Sequence, residues 1–303
     1  MAAVDVTKLA NATTEAEVDE AAAELNAQIA QKKGQGGNND AARRVALIDE
    51  IRGICVLAMV CYHIFFILGS QFGVAWGQSF YEFCRPAQPA FAALFILIAG
   101  FCTRFSRDVR KRGFMLAVIA MAITAATVLL LPALGFEGMR VWFGVLHLLA
   151  ASTLLFGFGK KIFDKIPALL GILLCLGLFF LFAPVGQGYL GMFGFHVDLP
   201  PALYRSNALA FLGFYRPDFV SFDFFPLLPY MFIFLFGSYM GKLAKNDKKK
   251  NEREKENLPE FCYRPHSTLF GFLGRHALPI YLLHAPMFYG LFYFVRAIIS
   301  LGS

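Results

Sequence analysis

Beyond residue 46 the chain repeats one pattern: a long apolar run, a short polar break, then another apolar run. The runs fall near residues 47–69, 89–105, 114–134, 141–158, 166–182, 222–243 and 278–300. Each has about the 20 residues that a helix needs to cross the hydrocarbon of a bilayer. The pattern predicts an all-α polytopic membrane bundle of about seven transmembrane helices. Residues 200–215 are apolar only in patches and contain Pro201, Arg205 and Asn207. They read as an interfacial or re-entrant piece, not as an eighth span. Residues 1–46 differ from the rest. Residues 14–30 are rich in Ala and Glu and predict a short surface helix, with Thr14 and Glu17 as a capping pair. The Gly/Asn tract 34–39 reads as a flexible linker. The expected division is a soluble cytoplasmic arm, 1–46, and a transmembrane domain, 47–303. No cleavable leader is expected, because the start has neither a basic flank nor an apolar run.

Composition agrees with the pattern. Of the 303 residues, 57% are hydrophobic and 16% charged, with a mean hydropathy of +0.56; a soluble domain carries about 25% charged residues. The chain therefore lacks the polar surface of a soluble enzyme. Its net charge of +7 is distributed unevenly. The breaks on one side of the predicted bundle hold 18 Lys and Arg, including Arg43, Arg44, Arg104, Arg107, Arg110, Lys111 and Arg112, against four (Arg85, Arg140, Arg205, Arg216) on the other. Basic loops are retained in the cytoplasm, so the N-terminus is expected inside. The charge then belongs to topology and anionic lipid, not to nucleic acid. The six cysteines form no C-x-x-C pair, which argues against a disulfide framework or a metal site.

Ionisable side chains at membrane depth are costly and need a reason. The first span opens with Asp49-Glu50-Ile51-Arg52-Gly53 and later carries Tyr62-His63. At about 100° per residue, Asp49, Arg52, Val56, Met59 and His63 share one stripe, and Glu50 points elsewhere. Arg52 and His63 are separated by about 16 Å of helical rise. Asp49 and Arg52 either serve a ligand or form an interfacial clasp. His147, seven residues after Arg140, falls in the outer half of the fourth span, and His284 near the middle of the last. For His284, a hydrogen bond to a carbonyl freed by Pro286 is the competing role. Pro226 and Pro229 predict a bend and freed carbonyls at the outer end of the sixth span, such as a wet cavity tolerates.

Several stretches then occur in a telling order. They are Asp49-Glu50-Ile51-Arg52-Gly53 with Tyr62-His63, Phe143-Gly144-Val145-Leu146-His147, and Phe224-Phe225-Pro226-Leu227-Leu228-Pro229 with Gly237. Leu273-Gly274-Arg275-His276 follows, leading into Ile280-Tyr281-Leu282-Leu283-His284-Ala285-Pro286. Over roughly residues 43–295 this set resembles bacterial members of the heparan-alpha-glucosaminide N-acetyltransferase catalytic-domain family. The resemblance implies a membrane-embedded acyltransferase. It would move an acetyl group from cytosolic acetyl-CoA to an amine or hydroxyl, a sugar in the eukaryotic case, on the other side. The family's essential non-cytosolic histidine corresponds best to His63, although the eukaryotic one follows a longer Gly-rich turn.

On this reading acetyl-CoA is a co-substrate, and no cofactor is permanently bound. Arg104, Arg107 and Arg112, with Arg110 and Lys111, would attract its phosphates, unless they serve topology alone. The thioester arm would follow the Asp49–Arg52–His63 face. His63 would act as base or acyl carrier, with His147 and His284 orienting it or stabilising the oxyanion. The partners expected are acyl-CoA, a sugar or other small acceptor and membrane lipid, and a homodimer is allowed. Two other classes stay open: a haem-carrying electron-transfer protein, with intramembrane histidines as axial ligands, and a small-solute transporter built on the bent sixth helix.

Overall fold

The computed structural model describes residues 45–133, 139–245 and 258–302. The helix expected over residues 14–30 lies outside them. Nine helices and one hairpin account for the described chain. The first, α1 (Ala46–Phe66), runs on through a wider π turn at Ile67–Gln71. A short helix, α2 (Ala75–Cys84), leads to α3 (Gln88–Cys102) and its 3-10 turn Thr103–Phe105. Pro89 sits in the first turn of α3, where a missing N–H is harmless. Helix α4 (Val109–Ala125) continues through a second π turn to Ala133, and α5 (Val145–Lys165) and α6 (Ala168–Phe182) follow. Strands β1 (Tyr189–Met192) and β2 (Phe195–Asp198) pair antiparallel. Helices α7 (Leu227–Ala244), α8 (Thr268–Arg275) and α9 (Ala277–Gly302) complete the set.

Seven helical stretches among the described residues are long and apolar enough to cross a membrane. The chain is an integral membrane protein with an all-α polytopic bundle. Three boundaries depart from those read in the apolar runs. α4 begins at Val109 and not at residue 114, because Asp108 caps it by accepting a hydrogen bond from the Lys111 N–H at 3.0 Å. Polar residues 110–112 are thereby helical. α5 begins at Val145 instead of 141. α7 begins at Leu227 rather than 222, since Pro226 holds the chain extended ahead of it. Residues 221–225 instead lie along residues 140–143. The Phe222 N–H donates to the Arg140 carbonyl at 2.9 Å and the Phe225 N–H to the Phe143 carbonyl at 3.1 Å. Residues 200–215 form two 3-10 turns, Pro201–Tyr204 and Asn207–Leu212, and neither is a span.

Helix α7 packs against α3, α6 and α5, and α4 against α5. The principal core, including Ile96, Leu148, Phe156, Phe234 and Tyr239, lies among them. Small residues let these backbones approach, since lipid offers apolar helices no hydrophobic reason to associate. A Cβ at Gly100 would sit 1.9 Å from the Phe234 carbonyl oxygen, and one at Gly237 2.0 Å from that of Leu97. A second close crossing joins α1 to α8. There a Cβ at Gly53 would meet the Phe270 carbonyl oxygen at 2.1 Å, and one at Gly274 that of Asp49 at 1.7 Å. Glu50 secures the same contact. Its Oε1 accepts from the His266 and Ser267 N–H groups at 2.6 and 2.9 Å, satisfying donors at the start of α8.

Candidate active site

The α1–α8 crossing sets a register. His63 follows Gly53 by ten residues along α1, a rise of about 15 Å, and His284 follows Gly274 by ten residues, across the break at His276 and into α9. The two rings meet: His284 Nε2 and His63 Nδ1 are 2.9 Å apart, with ring centroids 5.0 Å apart. Both side chains are buried. His284 Nδ1 faces the Tyr281 carbonyl at 2.7 Å and that of Ile280 at 3.3 Å. Carbonyl oxygens only accept, so Nδ1 of His284 carries hydrogen and donates. In the neutral ring Nε2 is then a bare lone pair, and His63 must donate to it from Nδ1. His63 Nε2 is left as a lone pair that makes no hydrogen bond to any described residue. The carbonyls engaged by His284 are those of the preceding turn and not the Leu282 carbonyl that Pro286 deprives of its partner.

His63 lines an apolar cavity of about 360 Å³ between α1 and α3, together with Cys55, Val56, Met59, Tyr62, Phe95 and Asp223. That size suits a small-molecule site. Val56, Met59 and His63 of the predicted stripe line it, whereas Asp49 and Arg52 do not; Arg52 Nη2 lies 3.0 Å from Cys102 Sγ and its Nη1 3.4 Å from Asp49. A larger pocket of about 800 Å³ opens at the other end of the spans, walled by Arg140, Trp142, Asn207, Phe211, Asp218 and Phe222 among others. Phe222 stacks on His63, with centroids 5.3 Å apart and planes at 19°.

The third histidine predicted for the site, His147, lies apart from this pair. His147 Nδ1 accepts from the Gly144 N–H at 3.2 Å, and its Nε2 donates to Thr124 Oγ1 at 3.0 Å. Thr124 in turn donates to the Val141 carbonyl. Both nitrogens are engaged at the start of α5, so the ring shapes that helix end and does not reach His63. Arg104 also departs from the cluster that its place in the sequence suggested. Its guanidinium is buried between α3, α5 and α7, donating to Ser238 O and Oγ at 3.1 and 3.0 Å, pairing with Asp164 and lying over Phe156. Arg107 is exposed, while Arg112 is half-buried within electrostatic reach of Arg52.

Two residues outside the predicted set join the site to its frame. Asp223 Oδ2 accepts from the Val145 N–H at 3.1 Å and from the Tyr281 hydroxyl, tying the start of α5 to α9 one turn before His284. Gly144 leaves room for that carboxylate, since a Cβ there would be 2.4 Å from Asp223 Oδ2. A carboxylate beside a double proline at membrane depth was the available signal for Asp223. Tyr281 stands in the Ile280–Pro286 stretch that carries the family resemblance, but its residue type gives it no role there.

A family model described as heparan-alpha-glucosaminide N-acetyltransferase, catalytic, matches residues 44–286, most of the chain. The chain belongs to this family. No curated protein and no solved structure matches it. Membership in the heparan-alpha-glucosaminide N-acetyltransferase family implies a membrane acetyltransferase, and the matched range contains both His63 and His284. The pair also bears on the haem alternative. Two imidazoles bonded to each other at 2.9 Å have no room between them for a macrocycle.

Proposed function

We propose that the protein transfers acetyl from acetyl-CoA, presented at the basic ends of the helices, to an amine or hydroxyl of a sugar entering from the opposite side. The observation that carries this reading is the His63–His284 hydrogen bond, which leaves His63 Nε2 as a lone pair on the wall of a ligand-sized cavity. The thioester arm runs up the Val56–Met59–His63 wall, with its phosphates near Arg52, Arg107 and Arg112. The acceptor occupies the open pocket, whose aromatic walls suit the apolar faces of a sugar ring and whose Asn207 and Asp218 suit its hydroxyls.

As the acceptor nitrogen or oxygen bonds to the carbonyl carbon, His63 Nε2 takes its proton. The positive charge is shared through Nδ1–H with His284, whose own Nδ1–H points at two carbonyl dipoles. Collapse breaks the C–S bond, and the CoA sulfur leaves as thiol with the proton returned by His63. The net change is one acyl bond made, one thioester broken and one proton moved. The protein is read as a bacterial inner-membrane enzyme with its basic ends in the cytoplasm.

His63→Gln keeps a polar side chain but no general base. Its transfer of radiolabelled acetyl to glucosamine should fall by about 10²–10⁴-fold in folded protein. Full activity in that variant would refute the role.

A further inference from the structure

The two cavities have no lining residue in common, and His63 and Phe222 meet where they adjoin. His63 lines the apolar cavity and not the open pocket, whereas Phe222 lines the open pocket and not the cavity. The rings lie face to face across that boundary, with centroids 5.3 Å apart. Phe66 backs Phe222 edge-on at 5.4 Å and 72°. The backbone beneath Phe222 is pinned through the Arg140 carbonyl and, three residues on, the Phe143 carbonyl. Movement at this point therefore belongs to the Phe222 side chain, which has only two rotatable torsions and no hydrogen bond to lose.

We propose that Phe222 is the partition of the site: stacked on His63 it seals the thioester cavity from water in the open pocket, and it turns aside when an acceptor is bound. The seal rests on the geometry, and its chemical purpose rests on the acetyl-transfer reading. A thioester beside an imidazole base is exposed to hydrolysis. Were water to take the acceptor's place, its oxygen would bond to the acetyl carbon, the C–S bond would break, and acetate and CoA thiol would leave with no acceptor modified. Excluding water until an acceptor arrives prevents that loss. Phe222 acts here through access to His63, as a positioning residue.

The test compares the wild-type chain, Phe222→Ala and Phe222→Trp in lipid nanodiscs, with Phe222→Leu as a milder opening. One readout is acetate released from acetyl-CoA without any acceptor. The other, independent of turnover, is modification of buried Cys55 at the cavity wall by a trimethylammonium methanethiosulfonate reagent, mapped by mass spectrometry. Opening the partition should raise acceptor-free acetate release about tenfold and speed modification of Cys55, while Phe222→Trp stays at the wild-type level. Misfolding would also bare Cys55, so only variants that keep the wild-type unfolding temperature in the nanodisc are compared. Unchanged Cys55 reactivity in Phe222→Ala and Phe222→Leu would overturn the partition. Faster Cys55 modification with no acetate from any form would leave the partition standing and remove acetyl transfer as its purpose.

Discussion

At the scale of single residues, the site is organised by which nitrogen or oxygen holds each proton. His284 donates to carbonyls, so His63 donates to His284, and Nε2 of His63 has no hydrogen-bond partner among the described residues. Asp223 plays the complementary part. One oxygen receives both the Val145 N–H and the Tyr281 hydroxyl. Asp223→Ala should leave two buried donors unsatisfied and cost about 1–3 kcal/mol, read as a lower unfolding temperature in detergent. Asp223→Asn retains an oxygen at the same point and should recover most of that loss. The sequence singled out His63 and His284, because an imidazole at membrane depth is conspicuous. It could not pair them, since they are 221 residues apart, and it grouped His147 with them because all three share a residue type and a depth. Only their hydrogen-bond partners separate a free base from a helix-end ligand.

At the scale of elements, glycine crossings do the positioning. The Gly53–Gly274 contact brings α1 and α8 to backbone distance; His63 stands ten residues further along α1, and His284 stands in α9, which follows α8 after the break at His276. The Gly100–Gly237 crossing does the same for α3 and α7, which form one side of the core. Gly100→Ala would drive a methyl group into the Phe234 carbonyl and should destabilise the protein by about 1–3 kcal/mol, measured by thermal unfolding. The spans themselves were legible as apolar runs, and the structure recovers all seven. Their ends were less so. Capping by Asp108 lengthened α4, because polar residues at a helix end enter a helix that an apolar count truncates, and Pro226 shortened α7, because its extended backbone leaves apolar residues ahead of it outside the helix. The amphipathic α2 and the β1–β2 hairpin escaped the reading, being too short to register as apolar runs.

For the molecule as a whole, the decisive features are its two ends and the two cavities between them. The Lys and Arg bias predicts that the basic ends face the cytoplasm. A fluorescent protein fused after Lys245 should therefore fold and fluoresce, whereas alkaline phosphatase fused after Pro200 should be active in the periplasm; the opposite result would invert the proposed direction of transfer. That bias, the seven spans and the family likeness were all written in the linear chain, because hydrophobic run length, loop charge and ordered motifs are local quantities. Which histidine keeps a free lone pair, that Arg104 is consumed by Ser238 and Asp164, and that Phe222 stands between two cavities were decided only on folding. Such facts depend on contacts between residues far apart in the chain, and glycine-permitted backbone approach, which no local pattern encodes, determines which of those residues meet.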